Sequence, residues 1–202
     1  MLEFALGYSD KLGKALVEHL EMVVITLLIS LLLASMLTML AMLSKKLSQV
    51  LIHMFAVIYS VPSLALFAIL IPVTGLGKVT AIVVLVVYNQ YLLLRNFTAG
   101  LNEVEPAIVE AATGMGMSRM QILFKVRLPL AKRSFFTGVR LAVVSTIGIA
   151  TIAAFINAGG LGSILFDGLR TMNVYKILWG SILAAGLAIG VNLVLSKFEK
   201  MI

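Results

Sequence analysis

Long apolar segments separated by short polar ones make up most of this 202-residue chain. A helix needs about 20 mostly apolar residues to cross a bilayer, where the backbone must satisfy its own hydrogen bonds. Five segments meet that requirement, and they predict five membrane-spanning helices at Leu20–Leu43, Val50–Val73, Leu76–Leu94, Ser134–Ile156 and Ile177–Leu195. The pattern therefore predicts an all-α integral membrane protein that forms one domain over residues 1–202.

Composition supports a membrane protein. Hydrophobic residues account for 61% of the chain and charged residues for 12%, whereas soluble domains average about 45–50% and 25%. The chain has no cysteine, which excludes disulfides, thiolate metal ligands and a cysteine nucleophile. The net charge of +7 does not require a nucleic-acid partner, because basic residues in a membrane protein usually mark its cytoplasmic loops.

Basic residues are unevenly divided between alternate loops, and this asymmetry predicts the orientation of the chain. One side would hold ten of the sixteen lysine and arginine residues and the other side five, while Arg140 lies inside the fourth predicted span. The positive-inside rule makes the richer side cytoplasmic, so the N-terminus is predicted outside and the C-terminus inside. The long polar loop at 95–133 is then cytoplasmic.

The loop at 95–133 is predicted to contain two short helices. The first begins at Pro106, where a missing amide hydrogen is tolerated, and a Gly-Met-Gly sequence ends it. Ser118 and Gln121 have the spacing of a capping box that starts the second. Its predicted inner face consists of Met120, Leu123 and Phe124. Such a helical loop suits docking into a groove of another protein, and an amphipathic loop on the bilayer surface is the alternative.

The same loop resembles the EAA loop of binding-protein-dependent ABC importer permeases. That signature is Glu-Ala-Ala, three residues, Gly, nine residues and Ile-x-Leu-Pro, and here Val126 stands in the Ile position. The resemblance implies that the loop is a coupling helix seated in a cleft of a separate ATPase subunit. It assigns this contact to Glu110, Ala111, Ala112, Met115, Gly116, Met117, Leu128 and Pro129.

The resemblance also implies the five-helix core of type I importer permeases, a methionine-permease-like fold in the cell membrane. Its expected partners are a cytosolic ATPase dimer, a second identical or homologous permease subunit and an extracytoplasmic substrate-binding protein. The chain is then not an enzyme and binds no cofactor, because the ATPase holds ATP and Mg²⁺. A P-loop-like stretch at residues 72–79 lacks the first Gly and the final Ser or Thr of that motif.

Two further stretches, Val61–Leu101 and Asn157–Asn173, resemble permeases of the osmoprotectant importers. Those importers carry glycine betaine, choline, carnitine and related quaternary amines. The resemblance implies an ATP-driven importer permease for such solutes under osmotic stress. Permeases for methionine and other amino acids share the EAA loop and stay an alternative, as does a non-transport membrane scaffold or channel.

The predicted spans contain no Asp or Glu deep inside, which argues against a proton-coupled carrier, a voltage sensor or an intramembrane protease. No catalytic or metal-ligating residue is predicted. Pro62 is expected to kink the second span, and Gly186 and Gly190 permit close helix contact, either within the bundle or with a second subunit. Candidates for a weakly polar solute path, with helix packing as the alternative for each, are Ser60, Pro62, Ser63, Tyr88, Asn89, Ser145, Thr146 and Asn157.

Overall fold

The computed structural model describes residues 6–201, so residues 1–5 and 202 of the predicted domain and the Lys200 side chain lie outside it. Within that range the chain forms helices and turns and no β-strand. The helices are α1 (Ser9–Ala41), α2 (Lys45–Ser60), α3 (Ser63–Thr74), α4 (Lys78–Asn102), α5 (Pro106–Gly114), α6 (Arg119–Ile122), α7 (Leu128–Leu130), α8 (Lys132–Ile152), α9 (Leu161–Arg170) and α10 (Val174–Met201). A π-helical turn, Leu123–Arg127, joins α6 to α7, and a 3₁₀ turn, Ala153–Ile156, follows α8.

Four helices of the described chain are long and apolar enough to cross a membrane, namely α1, α4, α8 with its 3₁₀ turn, and α10. The pair α2–α3 supplies a fifth crossing if its two halves count as one span, although they meet at 98°. The predicted second span is therefore broken rather than gently kinked. The break occurs at Pro62 because Val61 before it is extended, with ψ of 134°, as sterics before proline favour.

Several helices extend beyond their predicted spans, and α1 and α4 show why. Helix α1 begins at Ser9, because its first turns pack Leu12 against Leu161 of α9. Helix α4 continues to Asn102, so the polar loop begins at residue 103 instead of 95. Hydropathy locates the apolar centre of a helix, whereas packing by the neighbouring helices decides how far the helix continues beyond it.

Helix α4 occupies the centre of the bundle and packs against α1, α2, α3 and α8. The main core cluster includes Met22 of α1, Phe67 of α3, Leu85 of α4 and Ile147 of α8, each at most 2% exposed. The outer faces of α1 and α10 expose large aliphatic side chains, as lipid contact requires. The central position of α4 allows it to touch both the broken helix pair and the polar loop.

Arg140, the basic residue inside the fourth predicted span, has a carboxylate partner. Its Nε lies 3.1 Å from Oε2 of Glu199 in α10, and the Thr137 hydroxyl donates a hydrogen bond of 2.6 Å to Oε1 of that carboxylate. The ion pair offsets the charge of Arg140, which is costly inside a membrane segment.

The Gly186 and Gly190 pair does not pack within the bundle. Both residues are exposed, and no heavy atom lies within 4 Å of the position that a Cβ would occupy at either one. Packing inside the bundle, one of the two predicted uses of this pair, is therefore wrong.

Candidate coupling surface and solute path

The Glu-Ala-Ala sequence lies on α5, a nine-residue helix with a proline in its first turn, as predicted. Gly116 has a left-handed φ of +81°. Its amide donates to the Thr113 carbonyl at 2.9 Å, and the Met117 amide donates to the Ala112 carbonyl at 3.1 Å. These two bonds form a Schellman motif. The motif explains why a glycine stands at Gly116, whereas Gly114 is the last residue of the helix.

Ser118 starts the second short helix with the predicted capping box. The Gln121 amide donates to Ser118 Oγ at 3.3 Å, and the Ser118 amide donates to Gln121 Oε1 at 2.8 Å. The π-helical turn follows, and then comes Pro129. Proline lacks an amide hydrogen and its ring crowds the carbonyl four residues earlier, so a wider turn before it relieves the clash. The turn into α8 lies at Ala131, two residues after Pro129.

The surface formed by α5, α6 and the π-helical turn, which we call the coupling surface, exposes large apolar side chains. Met115 is 75% exposed, Met120 55% and Phe124 48%. The predicted inner face of the second helix is therefore wrong for Met120 and Phe124, and Ile122 is the buried residue instead. Flexible methionine side chains exposed together are typical of protein-binding surfaces.

The predicted coupling residues lie along this surface and the segment that follows it. Ala112 is buried and Met117 is half-buried, while the exposed members are Glu110, Ala111, Met115, Gly116, Leu128 and Pro129. Contact of these residues with an ATPase stays a prediction.

Two grooves separate the coupling surface from the ends of α1 and α2. The larger, 780 Å³, is lined mainly by methionine and leucine side chains, including Met36, Met39, Leu40, Met117, Met120 and Leu123. The smaller, 570 Å³, holds Glu110 beside Lys45 and Arg127. Arg127 Nη1 donates a hydrogen bond of 3.2 Å to the Leu101 carbonyl, at a helix C-terminus where the backbone dipole favours a cation. This bond fastens the loop to α4.

Two of the predicted path residues, Asn89 and Thr146, are buried in the bundle and each is 1% exposed. Asn89 Nδ2 donates to Ser30 Oγ at 3.2 Å and to Thr146 Oγ1 at 2.9 Å. The neighbouring Gln90 donates to the Ser30 carbonyl at 3.4 Å. These polar groups connect α1, α4 and α8. Sequence analysis missed Ser30 and Gln90, although each is a polar residue in an apolar span.

Another group of predicted path residues lies at the break between α2 and α3. Ser60 and Pro62 are exposed and Ser63 is half-buried. Tyr88 is 3% exposed, and its hydroxyl donates a hydrogen bond to the Val61 carbonyl. The centre of α4 is thereby attached to the broken helix pair.

Tyr59 and Tyr91 extend Tyr88 into a three-ring group, the tyrosine cluster. The Tyr59 ring centroid lies 5.5 Å from that of Tyr88 and 5.1 Å from that of Tyr91. The rings meet at 79° and 37° respectively. Sequence analysis included Tyr88 among the path candidates and missed the other two rings.

The last two predicted path residues lie on and after α8. Ser145 is half-buried and Asn157 is exposed, with the left-handed φ of 63° that asparagine tolerates. The glycine-rich turn beyond Asn157 packs on α1, because the Gly160 amide donates to Glu18 Oε2 at 3.2 Å. The turn is thus attached to the bundle.

Asp167 of α9 is the centre of a charged group at the predicted outer end. Its carboxylate lies 2.7 Å from Lys176 Nζ and 2.9 Å from Arg170 Nη2. Hydrogen bonds from Lys176, and then from Arg170, lower the pKa of the Asp167 carboxyl below its ordinary value.

Comparisons with known proteins show the family of this chain. The family model of the binding-protein-dependent transport system inner membrane component matches residues 26–202. The carnitine transport permease protein OpuCB of Listeria monocytogenes is 37% identical over 156 residues, 77% of this chain and 72% of that protein. The choline transport system permease protein OpuBB of Bacillus subtilis is 35% identical over 183 residues, 91% of this chain and 84% of that protein.

The fold itself is also found in a solved structure. A chain of the inward-facing MetNI methionine ABC transporter superposes with a TM-score of 0.85 at 21% identity, covering 96% of this chain and 97% of that one. The predicted methionine-permease-like fold is confirmed. At this identity the likeness concerns the fold alone.

Proposed function

Because this chain belongs to the family of binding-protein-dependent transport system inner membrane components, we propose that it is the permease subunit of an importer for quaternary amines. The observation that carries the proposal is its identity of 37% and 35% over most of its length to permeases named for carnitine and choline transport. The proposed solutes are glycine betaine, carnitine and choline, which share a trimethylammonium group. The chain is a multi-pass protein of the cell membrane.

The coupling surface is the proposed attachment point of a cytosolic ATPase dimer. Its exposed methionines offer adaptable apolar area for a groove, and the Schellman motif at Gly116 sets the direction of the chain between α5 and α6. ATP and Mg²⁺ are proposed to bind the ATPase and not this chain. Closure of the ATPase dimer would draw together the coupling surfaces of two permease subunits and tilt their bundles.

The solute path is proposed to run between this chain and a second permease subunit, identical or homologous. A substrate-binding protein would deliver the solute at the outer face. The break between α2 and α3 supports a path residue role for Ser60, Pro62, Ser63 and Tyr88, because broken helices in transporters line binding cavities. Asn89 and Thr146 are hydrogen-bonded within the bundle, so a path role for them would require these bonds to open.

Uptake of labelled glycine betaine, carnitine and choline, measured in osmotically stressed cells with and without the chain, tests the proposal. We expect uptake of at least one of these solutes to depend on the chain. Chain-dependent uptake of methionine without any of the three would show an amino-acid importer instead. If no solute responds and no ATPase co-purifies with the chain, the scaffold or channel alternative holds.

A further inference from the structure

We propose that the tyrosine cluster is the place where the permease itself holds the quaternary ammonium group, on the open part of the Tyr59 ring. This inference rests on the proposed function, since it requires a cationic solute. It adds a recognition site within the membrane subunit to the delivery of solute by a binding protein.

A quaternary ammonium group limits what can recognise it. Its nitrogen carries no hydrogen, so hydroxyl and carbonyl groups cannot accept a hydrogen bond from it, and aromatic faces are the groups that stabilise such cations. The carboxylates of Glu199 and Glu21 are already paired, with Arg140 at 3.1 Å and Lys78 at 2.8 Å respectively. Ring faces can therefore offset the charge of such a solute at the helix break.

The tyrosine cluster leaves ring surface open. Tyr59 and Tyr91 are half-buried, and Ser60 and Pro62 beside them are exposed, so a solute can approach at the helix break. By contrast, Phe97 and Phe135 stack at 4.2 Å with an angle of 20° between the rings. Such stacking covers one face of each ring, and Phe97 is only 2% exposed, which favours the tyrosine cluster over this phenylalanine pair.

One cation already contacts the cluster. The Arg95 guanidinium carbon lies 5.8 Å from the Tyr91 ring centroid, and Arg95 Nη1 donates a hydrogen bond of 2.9 Å to the Tyr91 hydroxyl. That distance is within the range of cation–π attraction. Because the Arg95 charge repels a second cation near Tyr91, the solute is assigned to Tyr59, the ring between Tyr88 and Tyr91, which Arg95 does not contact within the cation–π range.

The backbone adds to the attraction at the same place. Helix α2 ends at Ser60, one residue after Tyr59. The C-terminal end of a helix carries a partial negative charge, and such ends within broken membrane helices coordinate cations in transporters. Ring faces and the helix terminus thus favour a positive charge at one point of the path.

The test is a substitution series at Tyr59 in the complete importer, with its ATPase and binding protein, in proteoliposomes. Tyr59→Phe and Tyr59→Trp keep an aromatic face and are expected to retain most of the maximal uptake of labelled glycine betaine. Tyr59→Leu is expected to lower maximal uptake about tenfold, with little change in the half-saturating concentration that the binding protein sets. Phe155→Leu, at an exposed aromatic residue outside the cluster, is the matched control.

Two outcomes would overturn the inference while leaving the proposed function intact. These are wild-type uptake by Tyr59→Leu, and equal losses in Tyr59→Phe and Tyr59→Leu, which would indicate a packing role. If Tyr59→Leu does not accumulate in the membrane, Tyr59→Met replaces it with the same expected loss. Absence of quaternary-amine uptake by the wild-type importer would instead refute the proposed function, and this inference with it.

Discussion

Glycine serves two different purposes in the coupling surface and in the first turn of α9. At Gly116 φ is +81° and nothing lies within 4 Å of a Cβ position, whereas a Cβ at Gly162 would lie 1.8 Å from the Thr151 carbonyl oxygen. Helix α9 needs a glycine at Gly162 because it touches the backbone of α8 there. In the coupling surface, Gly116 is needed only because it adopts a left-handed backbone conformation. The open space around Gly116 is available to another protein.

Substitution at Gly162 should produce the largest effect. A methyl group in Gly162→Ala would clash with a backbone oxygen, which cannot move away by changing rotamer, so we expect a loss of more than about 3 kcal/mol in stability. The measurement is the yield of monodisperse detergent-extracted chain and its thermal unfolding midpoint. Gly186→Ala, where a Cβ meets nothing within 4 Å, should remain like wild type. Equal behaviour of the two variants would refute the close contact.

Gly116→Val should leave the bundle folded and disable transport. A β-branched residue in a left-handed conformation costs about 1–2 kcal/mol, which the loop avoids by changing its direction. We expect normal membrane amounts and at least about tenfold lower uptake. Gly116→Asn, which tolerates this φ, should recover most uptake, and Gly114→Ala should resemble wild type. Full uptake by Gly116→Val would contradict a coupling role for this turn.

Glu110→Ala should separate ATP hydrolysis from uptake. Glu110 is exposed, so its removal does not disturb the bundle, but it takes away a charge from the proposed ATPase contact. We expect uptake to fall several-fold while ATPase activity in the purified importer persists. Glu103→Ala, at an exposed acidic residue on the same loop, is the control. Wild-type transport by both Glu110→Ala and Gly116→Val would show that the coupling assignment is wrong.

The smallest expected effect concerns Asp167 and pH. Because Lys176 and Arg170 lower the pKa of this carboxyl in the folded protein, its stabilising contribution is present above the unfolded value of about 3.9 and is lost as pH falls through the lower folded value. Asp167→Asn should therefore unfold at a slightly lower temperature than wild type near neutral pH. The difference should vanish in strong acid, and a difference that persists there would contradict the ion-pair explanation.

Local signals predicted local features well. The capping box of Ser118 and Gln121 and the Gly116 turn that follows α5 depend on residues a few positions apart, so sequence spacing suffices to predict them. Pro62 likewise predicts where the second span bends. The angle of the bend does not follow from the proline, because it depends on how Phe67 and the rest of α3 pack into the core.

Features that join distant helices could not be predicted in the same way. The pairing of Arg140 with Glu199 and the bond from Asn89 to Ser30 depend on which helix faces meet. The exposed positions of Met120 and Phe124 were missed for a different reason. Apolar periodicity shows that one side of a helix prefers burial, but it does not show whether the bundle or another protein provides that burial.

Helix α4 connects the polar loop mechanically to the break between α2 and α3. The Leu101 carbonyl near one end of α4 accepts the bond from Arg127 in the loop, and Tyr88 near its middle donates to the Val61 carbonyl at the helix break. Between these points α4 is a continuous helix, a stiff rod about 20 Å long. Such a rod would carry a small displacement at the loop end to the helix break, so the loop and the break need not be adjacent to act together.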